Sequence, residues 1–285
     1  MSFERCPETS LPWRSMRPFG QLLAAPRRRA ADLRMAILGD LKERFLATGF
    51  LVLRGYADVL ELREVAEALR GIFHTDREGK PDVYDVLHRE AGSNDFVKTK
   101  ERVALHWDGF WCDFDAHVQV FQCLVAPRPG YGGESVFAHT TRVYNSAAAG
   151  IRADWEQRLF VYRRSCQERT PEALRERLFG ETRTYPLVAR HPASGAPILR
   201  LRENDRDVED REMDVFGLGD WRPGKQNLEK VYFDLLRRLY APRNCLVHSW
   251  QEGDFVLSDN QTMLHGRKPY AGERRLNRML VNLPV

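Results

Sequence analysis

Two stretches of this 285-residue chain carry residue types suited to holding a redox metal. In Ala104-Leu105-His106-Trp107-Asp108-Gly109 an imidazole and a carboxylate stand two residues apart, so in an extended segment both side chains leave the same face. A third donor, His265, closes the segment Asp259-Asn260-Gln261-Thr262-Met263-Leu264-His265, which reads as a strand end. Two imidazoles and a carboxylate on one face of an octahedron leave the opposite positions open, an arrangement suited to Fe(II) and oxygen activation. His106, Asp108 and His265 are therefore the candidate catalytic metal ligands. Another His-x-Asp, His74-Thr75-Asp76, follows a predicted helix and runs into Arg77-Glu78-Gly79-Lys80, with no strand to hold it. His88, His117, His139 and His248 read as hydrogen-bonded core or surface residues, and His191, before Pro192, as a turn residue.

Short strands must position these donors. Strand character appears at His117 to Ala126, Ser135 to His139, Leu159 to Arg164, Leu187 to Arg190, Ile198 to Arg202, Cys245 to Trp250, Phe255 to Ser258 and Arg278 to Leu283. Turns such as Pro127-Arg128-Pro129-Gly130 and Glu252-Gly253-Asp254 separate them. Leu33, Ile37, Leu38, Leu41 and Phe45 recur at helical spacing and predict a helix ending near Gly49, followed by a buried strand at Phe50 to Leu53 and a second helix from Leu60 to Phe73. A third helix is expected over Lys225 to Tyr240, packed outside a sheet. The fold class is mostly β with flanking helices, a double-stranded β-helix or jelly roll forming one domain over residues 1–285. The polar stretches 76–100 and 203–224 read as loops and candidate lids.

Composition excludes several classes. With 43% hydrophobic residues and a net charge of +4 from interspersed signs, the chain is globular and offers no broad basic groove for nucleic acid. Arg27-Arg28-Arg29 reads as a solvated helix start. Five widely spaced cysteines without a CxxC indicate neither a disulfide framework nor a zinc site. No apolar run suits a signal peptide or a membrane span, so a cytoplasmic protein without membrane or nucleic-acid partners is expected, its oligomeric state left open.

In order and spacing, Leu105-His106-Trp107-Asp108-Gly109, Gly132-Gly133-Glu134-Ser135, the run Leu187 to Gly195, and Asp259-Asn260 to His265 with Arg274 and Arg278 resemble the taurine/2-oxoglutarate dioxygenase superfamily. The resemblance runs from Gly49 to the C-terminus and implies Fe(II), with 2-oxoglutarate and O2 as cosubstrates. It further implies that Arg274 and Ser135 hold the far carboxylate of 2-oxoglutarate, which a guanidinium fork and a hydroxyl suit chemically. Arg278 falls where relatives bind an anionic group of the substrate, and its even separation from Arg274 places both on one strand face. Phe110 and Trp111, with Trp107 and Phe114, are candidates to line an apolar substrate pocket, the competing reading being plain core. Within the superfamily, His106 to Gly109, Phe121-Gln122-Cys123 and Leu264-His265-Gly266-Arg267 look most similar to dioxygenases of isonitrile biosynthesis.

That resemblance implies hydroxylation or desaturation of a small, anionic, amino-acid-derived metabolite. Asp108 argues against a halogenase, in which a small residue vacates a metal position for chloride. A jelly roll that binds metal or a small ligand without turnover is the alternative class; it would have no need of Ser135 and Arg274. An oxygenase of a sulfonate, a free amino acid or a macromolecule is a further alternative.

Overall fold

A computed structural model describes residues 11–24, 34–69, 83–87, 99–109, 116–164, 182–203, 213–218 and 225–282. In chain order these form β1 (Arg14–Ser15), β2 (Gln21–Ala24), α1 (Arg34–Thr48), β3 (Phe50–Arg54), α2 (Leu62–Ala68), β4 (Val83–Leu87), β5 (Val103–His106), β6 (Ala116–Val125) and β7 (Ser135–His139). The short helices α3 (Thr140–Asn145) and α4 (Ala149–Glu156) follow, then β8 (Leu159–Arg164), β9 (Thr182–Pro186), β10 (Val188–Arg190), β11 (Pro197–Leu199) and β12 (Met213–Leu218). Helix α5 (Lys225–Leu239) precedes β13 (Cys245–His248), β14 (Phe255–Asp259), β15 (Met263–Arg267) and β16 (Arg275–Asn282). The architecture is mostly sheet with flanking helices.

Two sheets matter for function. The larger has the order β1-β2-β3-β14-β6-β16-β4, and the smaller β13-β7-β15-β5. Their period-two alternation sorts the core. On the large sheet Leu51, Leu53, Val118, Val120, Phe255 and Leu257 turn one way and pack with Ile37, Leu41 and Phe45 of α1 and Leu62 and Val65 of α2. Phe50, Val52, Phe121, Cys123 and Val256 turn the other way, into a cluster shared with Phe137, Leu246 and Met263 of the small sheet. The sheets therefore face one another across a common interior. The small sheet's outer face, with Leu105, Val136, Ala138 and Leu264, is covered by α3, α4 and α5 through Val143, Trp155, Leu235 and Leu239. Each of these large apolar side chains contributes about 1.5–3 kcal/mol when removed from water.

The stretch expected to be a loop over 76–100 contains a strand: β4 pairs antiparallel with β16, placing Leu87 opposite Leu276. The unpaired N–H and C=O groups along β16 supply what the local polar composition conceals. Likewise, β12 lies within the expected loop 203–224 and pairs with β8. Apart from Glu203, the rest of that stretch lies outside the described residues. Helices α3 and α4 and strand β9 were not expected from the sequence; two of them are too short for helical periodicity to register. Among the described residues no helix is long and apolar enough to cross a membrane.

A partly buried ion pair ties β3 to the turn that precedes β14. Arg54 grips Asp254 with a two-point fork, Nε to Oδ1 at 3.0 Å and Nη2 to Oδ2 at 2.9 Å, and the Gln251 N–H donates to Oδ2 at 3.0 Å. Asp254 is fully buried whereas the Arg54 side chain is 31% exposed. Asp254→Ala is therefore expected to lower the unfolding free energy by about 2–3 kcal/mol, between the values for exposed and fully buried pairs. A urea midpoint unmoved by the substitution would show that the fork carries no stability.

Candidate metal centre

Strand pairing fixes the geometry of the predicted donors. β15 and β5 run antiparallel with His265 directly opposite His106, and the two ring centroids are 4.2 Å apart. Beside His265, a Cβ on Gly266 would stand 2.5 Å from the Val103 carbonyl oxygen, so this close approach of two backbones requires glycine. Asp108 returns to the inner face two residues after His106. Its Oδ1 lies 3.7 Å from His106 Nε2, and its Oδ2 lies 3.7 Å from His265 Nε2. All three ligand atoms fall within 4.8 Å of one another, a spacing that one ion could gather. Trp107, between the two donors, turns outward: it meets Tyr185 edge-on at 5.3 Å and belongs to the core under the helices.

The protonation states of the three side chains suit a cation. The Nδ1–H of His106 donates to the Ala104 carbonyl at 2.8 Å, which leaves the Nε2 lone pair toward the cluster. Burial, followed by the neighbouring His265, pushes the His106 imidazole down to about 3, and burial pushes His265 down to about 4. Both rings are neutral donors at neutral pH. Burial would raise the Asp108 carboxyl, yet Arg278 and the two imidazoles together hold it well below the usual carboxylate range. Arg278 Nη1 donates to Asp108 Oδ2 at 2.7 Å, and Gln119 Nε2 donates to the same oxygen at 2.6 Å.

Backbone contacts hold the segment in place. Asn260 clasps Asp108 reciprocally, its Oδ1 accepting the Asp108 N–H at 2.9 Å and its Nδ2 donating to the Asp108 carbonyl at 2.9 Å. On the outer side of β5, the Glu203 carboxylate accepts the Leu105 N–H at 3.0 Å, and the Glu203 N–H donates to the Leu105 carbonyl at 2.7 Å. Arg102 and Tyr240 hold that carboxylate at 2.6 and 2.5 Å.

A cavity of about 40 Å³ adjoins the cluster, bounded by His106, His265, Phe121, Ser135, Arg274 and Arg278. Arg274 is 4% exposed. Its Nε donates to the Gly133 carbonyl at 3.1 Å and its Nη2 to Ser135 Oγ at 3.4 Å. Among the described residues no carboxylate pairs with it, and burial, then the like charge of Arg267, pushes its guanidinium down to about 9. The two glycines before Ser135 have a steric cause. With φ of +78° and +83°, Cβ atoms on Gly132 and Gly133 would stand 2.1 Å from the Pro269 carbonyl oxygen and 2.7 Å from Pro127 Cγ.

The structure thus gathers His106, Asp108, His265, Ser135, Arg274 and Arg278 around one interior space. Phe110, Trp111, Phe114, His74 and His88 lie outside the described residues. Two other histidines are engaged elsewhere: His191 donates to Asp259 at 3.1 Å, and His248 meets Trp250 edge-on at 4.6 Å. Gln119, Asn260 and Trp250 were missed by sequence reasoning. Gln119 had a signal, a lone amide inside the apolar run Val118-Gln119-Val120-Phe121.

Residues 16–280 match the family model described as "Taurine catabolism dioxygenase TauD, TfdA family". The chain is 31% identical over 279 residues to 3-((Z)-2-isocyanoethenyl)-1H-indole synthase of Fischerella ambigua, covering 93% of each protein. It is also 31% identical over 186 residues to tyrosine isonitrile desaturase of Erwinia amylovora, covering 65% of this chain and 60% of that protein. Among solved structures, PvcB of Pseudomonas aeruginosa superposes with a TM-score of 0.67 at 26% identity, covering 93% of this chain and 86% of PvcB. A second PvcB structure, described as an Fe, alpha-ketoglutarate dependent oxygenase from an isonitrile synthetic pathway, superposes with a TM-score of 0.65 at 24% identity over 99% and 95% of the two chains. This chain belongs to the taurine catabolism dioxygenase TauD, TfdA family and is an Fe(II)- and 2-oxoglutarate-dependent dioxygenase.

Proposed function

We propose that the chain is one double-stranded β-helix domain in which His106, Asp108 and His265 hold Fe(II) and Arg274 with Ser135 holds the far carboxylate of 2-oxoglutarate. The observation that carries this reading is the buried Arg274 guanidinium, which has no carboxylate partner among the described residues and borders the same cavity as both imidazoles. A buried cation without an anion is costly, and a dicarboxylate ligand would relieve that cost. When bound, iron and 2-oxoglutarate supply oxidation of a substrate C–H bond coupled to decarboxylation of the keto acid. The chain's own part is positional: two neutral imidazoles and an anionic carboxylate would grip the ion, and Asn260 and Gln119 fix Asp108.

For the substrate we infer an amino-acid-derived isonitrile bearing a carboxylate, with desaturation as the reaction. The support is the activities of the relatives, an isocyanoethenyl-indole synthase and a tyrosine isonitrile desaturase, together with Arg278, a buried cation on the cavity wall. Phe110 and Trp111 remain proposed as its apolar contacts. We place the enzyme in the cytoplasm, in keeping with the free thiols of Cys123 and Cys245.

Anaerobic addition of Fe(II) and 2-oxoglutarate is expected to produce a visible charge-transfer band that His106→Ala abolishes. A band that survives this substitution unchanged would remove the ligand assignment. In a panel of aromatic amino acid isonitriles, free amino acids and sulfonates, succinate is expected to form with the isonitriles. Turnover confined to sulfonates or free amino acids would overturn the substrate class while sparing the oxygenase.

A further inference from the structure

Trp250 lies just beyond β13, buried in the apolar cluster shared by the two sheets. Its indole N–H donates to Ser135 Oγ at 3.0 Å. The same oxygen faces Arg274 Nη2 at 3.4 Å. A serine hydroxyl has two acceptor lone pairs and one proton. With both lone pairs turned toward nitrogen donors, the proton is directed to the remaining side, where Ser135 borders the cavity shared with Arg274 and the imidazoles. The Arg274 guanidinium carbon also lies 5.9 Å from the centroids of the Trp250 and Tyr270 rings, within cation–π range.

We propose that Trp250 is a positioning residue for the cosubstrate, acting through Ser135. By donating to Oγ it makes the hydroxyl an obligate donor into the cavity, so the subsite presents only donors and selects a group that only accepts. A carboxylate meets that demand; the amide of 2-oxoglutaramate sets its NH2 against them. This inference rests on the reading of Arg274 and Ser135 as the site of the far carboxylate.

The test is a double-mutant cycle on the intact protein, with 2-oxoglutarate affinity read from the anaerobic charge-transfer band and Fe(II) affinity measured separately. Trp250→Phe keeps a ring over Arg274 and removes the N–H. It is expected to weaken 2-oxoglutarate about tenfold at unchanged Fe(II) affinity. In a Ser135→Ala background the same substitution is expected to change little, because the partner through which it acts is gone. Equal losses in both backgrounds, or no loss in either, would overturn the relay. If Trp250→Phe does not fold, the unaltered protein decides: 2-oxoglutaramate must bind at least about tenfold more weakly than 2-oxoglutarate, and equal binding sinks the proposal. Arg274→Met separates the two levels. If it leaves 2-oxoglutarate binding intact, the assignment of the carboxylate site fails; if it abolishes binding while Trp250→Phe does not affect it, only the relay fails.

Discussion

The whole site depends on one cross-strand pairing, His265 opposite His106 on the inner face of the small sheet. Because side chains alternate along a strand, that register also sends Leu105, Trp107 and Leu264 outward to the helices, so one arrangement builds both the hydrophobic seal and the donor cluster. A slip of one residue would exchange them, burying an imidazole among leucines and presenting leucine to the cavity. Several kilocalories per mole of apolar burial thus enforce the placement of groups that contribute little stability themselves.

The interior gathers an unusual amount of charge, and its balance explains the supporting cast. Asp108 is the anion of the cluster, and Arg278 and Gln119 converge on a single one of its oxygens, leaving the other turned toward His106. Among the described residues Arg274 has no such carboxylate, and its guanidinium lies 5.9 Å from the ring centroids of Trp250 and Tyr270. The two imidazoles, neutral at neutral pH, thus stand between a carboxylate already engaged by Arg278 and a guanidinium held by neutral acceptors.

Much of this was legible in the chain itself. That His106 and Asp108 would come together could be read because a two-residue spacing has direct geometric meaning in a strand, and the Gly-Gly step before Ser135 because steric need leaves a mark on composition. β7 and β8 fell where alternation and turns predicted. What escaped depends on distant partners. β4 exists as the neighbour of β16, and the roles of Asn260 and Trp250 arise from contacts 152 and 115 residues away in sequence. Trp107, grouped with its neighbouring aromatics, could not be assigned to pocket or core until the direction of its strand was known.

Glu203 carries a consequence beyond anchoring. β5 is the terminal strand of the small sheet, so one side of its backbone would be open to another extended chain. By taking both the N–H and the carbonyl of Leu105, Glu203 consumes the hydrogen-bonding positions that an invading strand would use. The backbone of the residue beside His106 is thereby already satisfied within the molecule, and that stretch of the sheet edge offers an invading strand no free donor or acceptor.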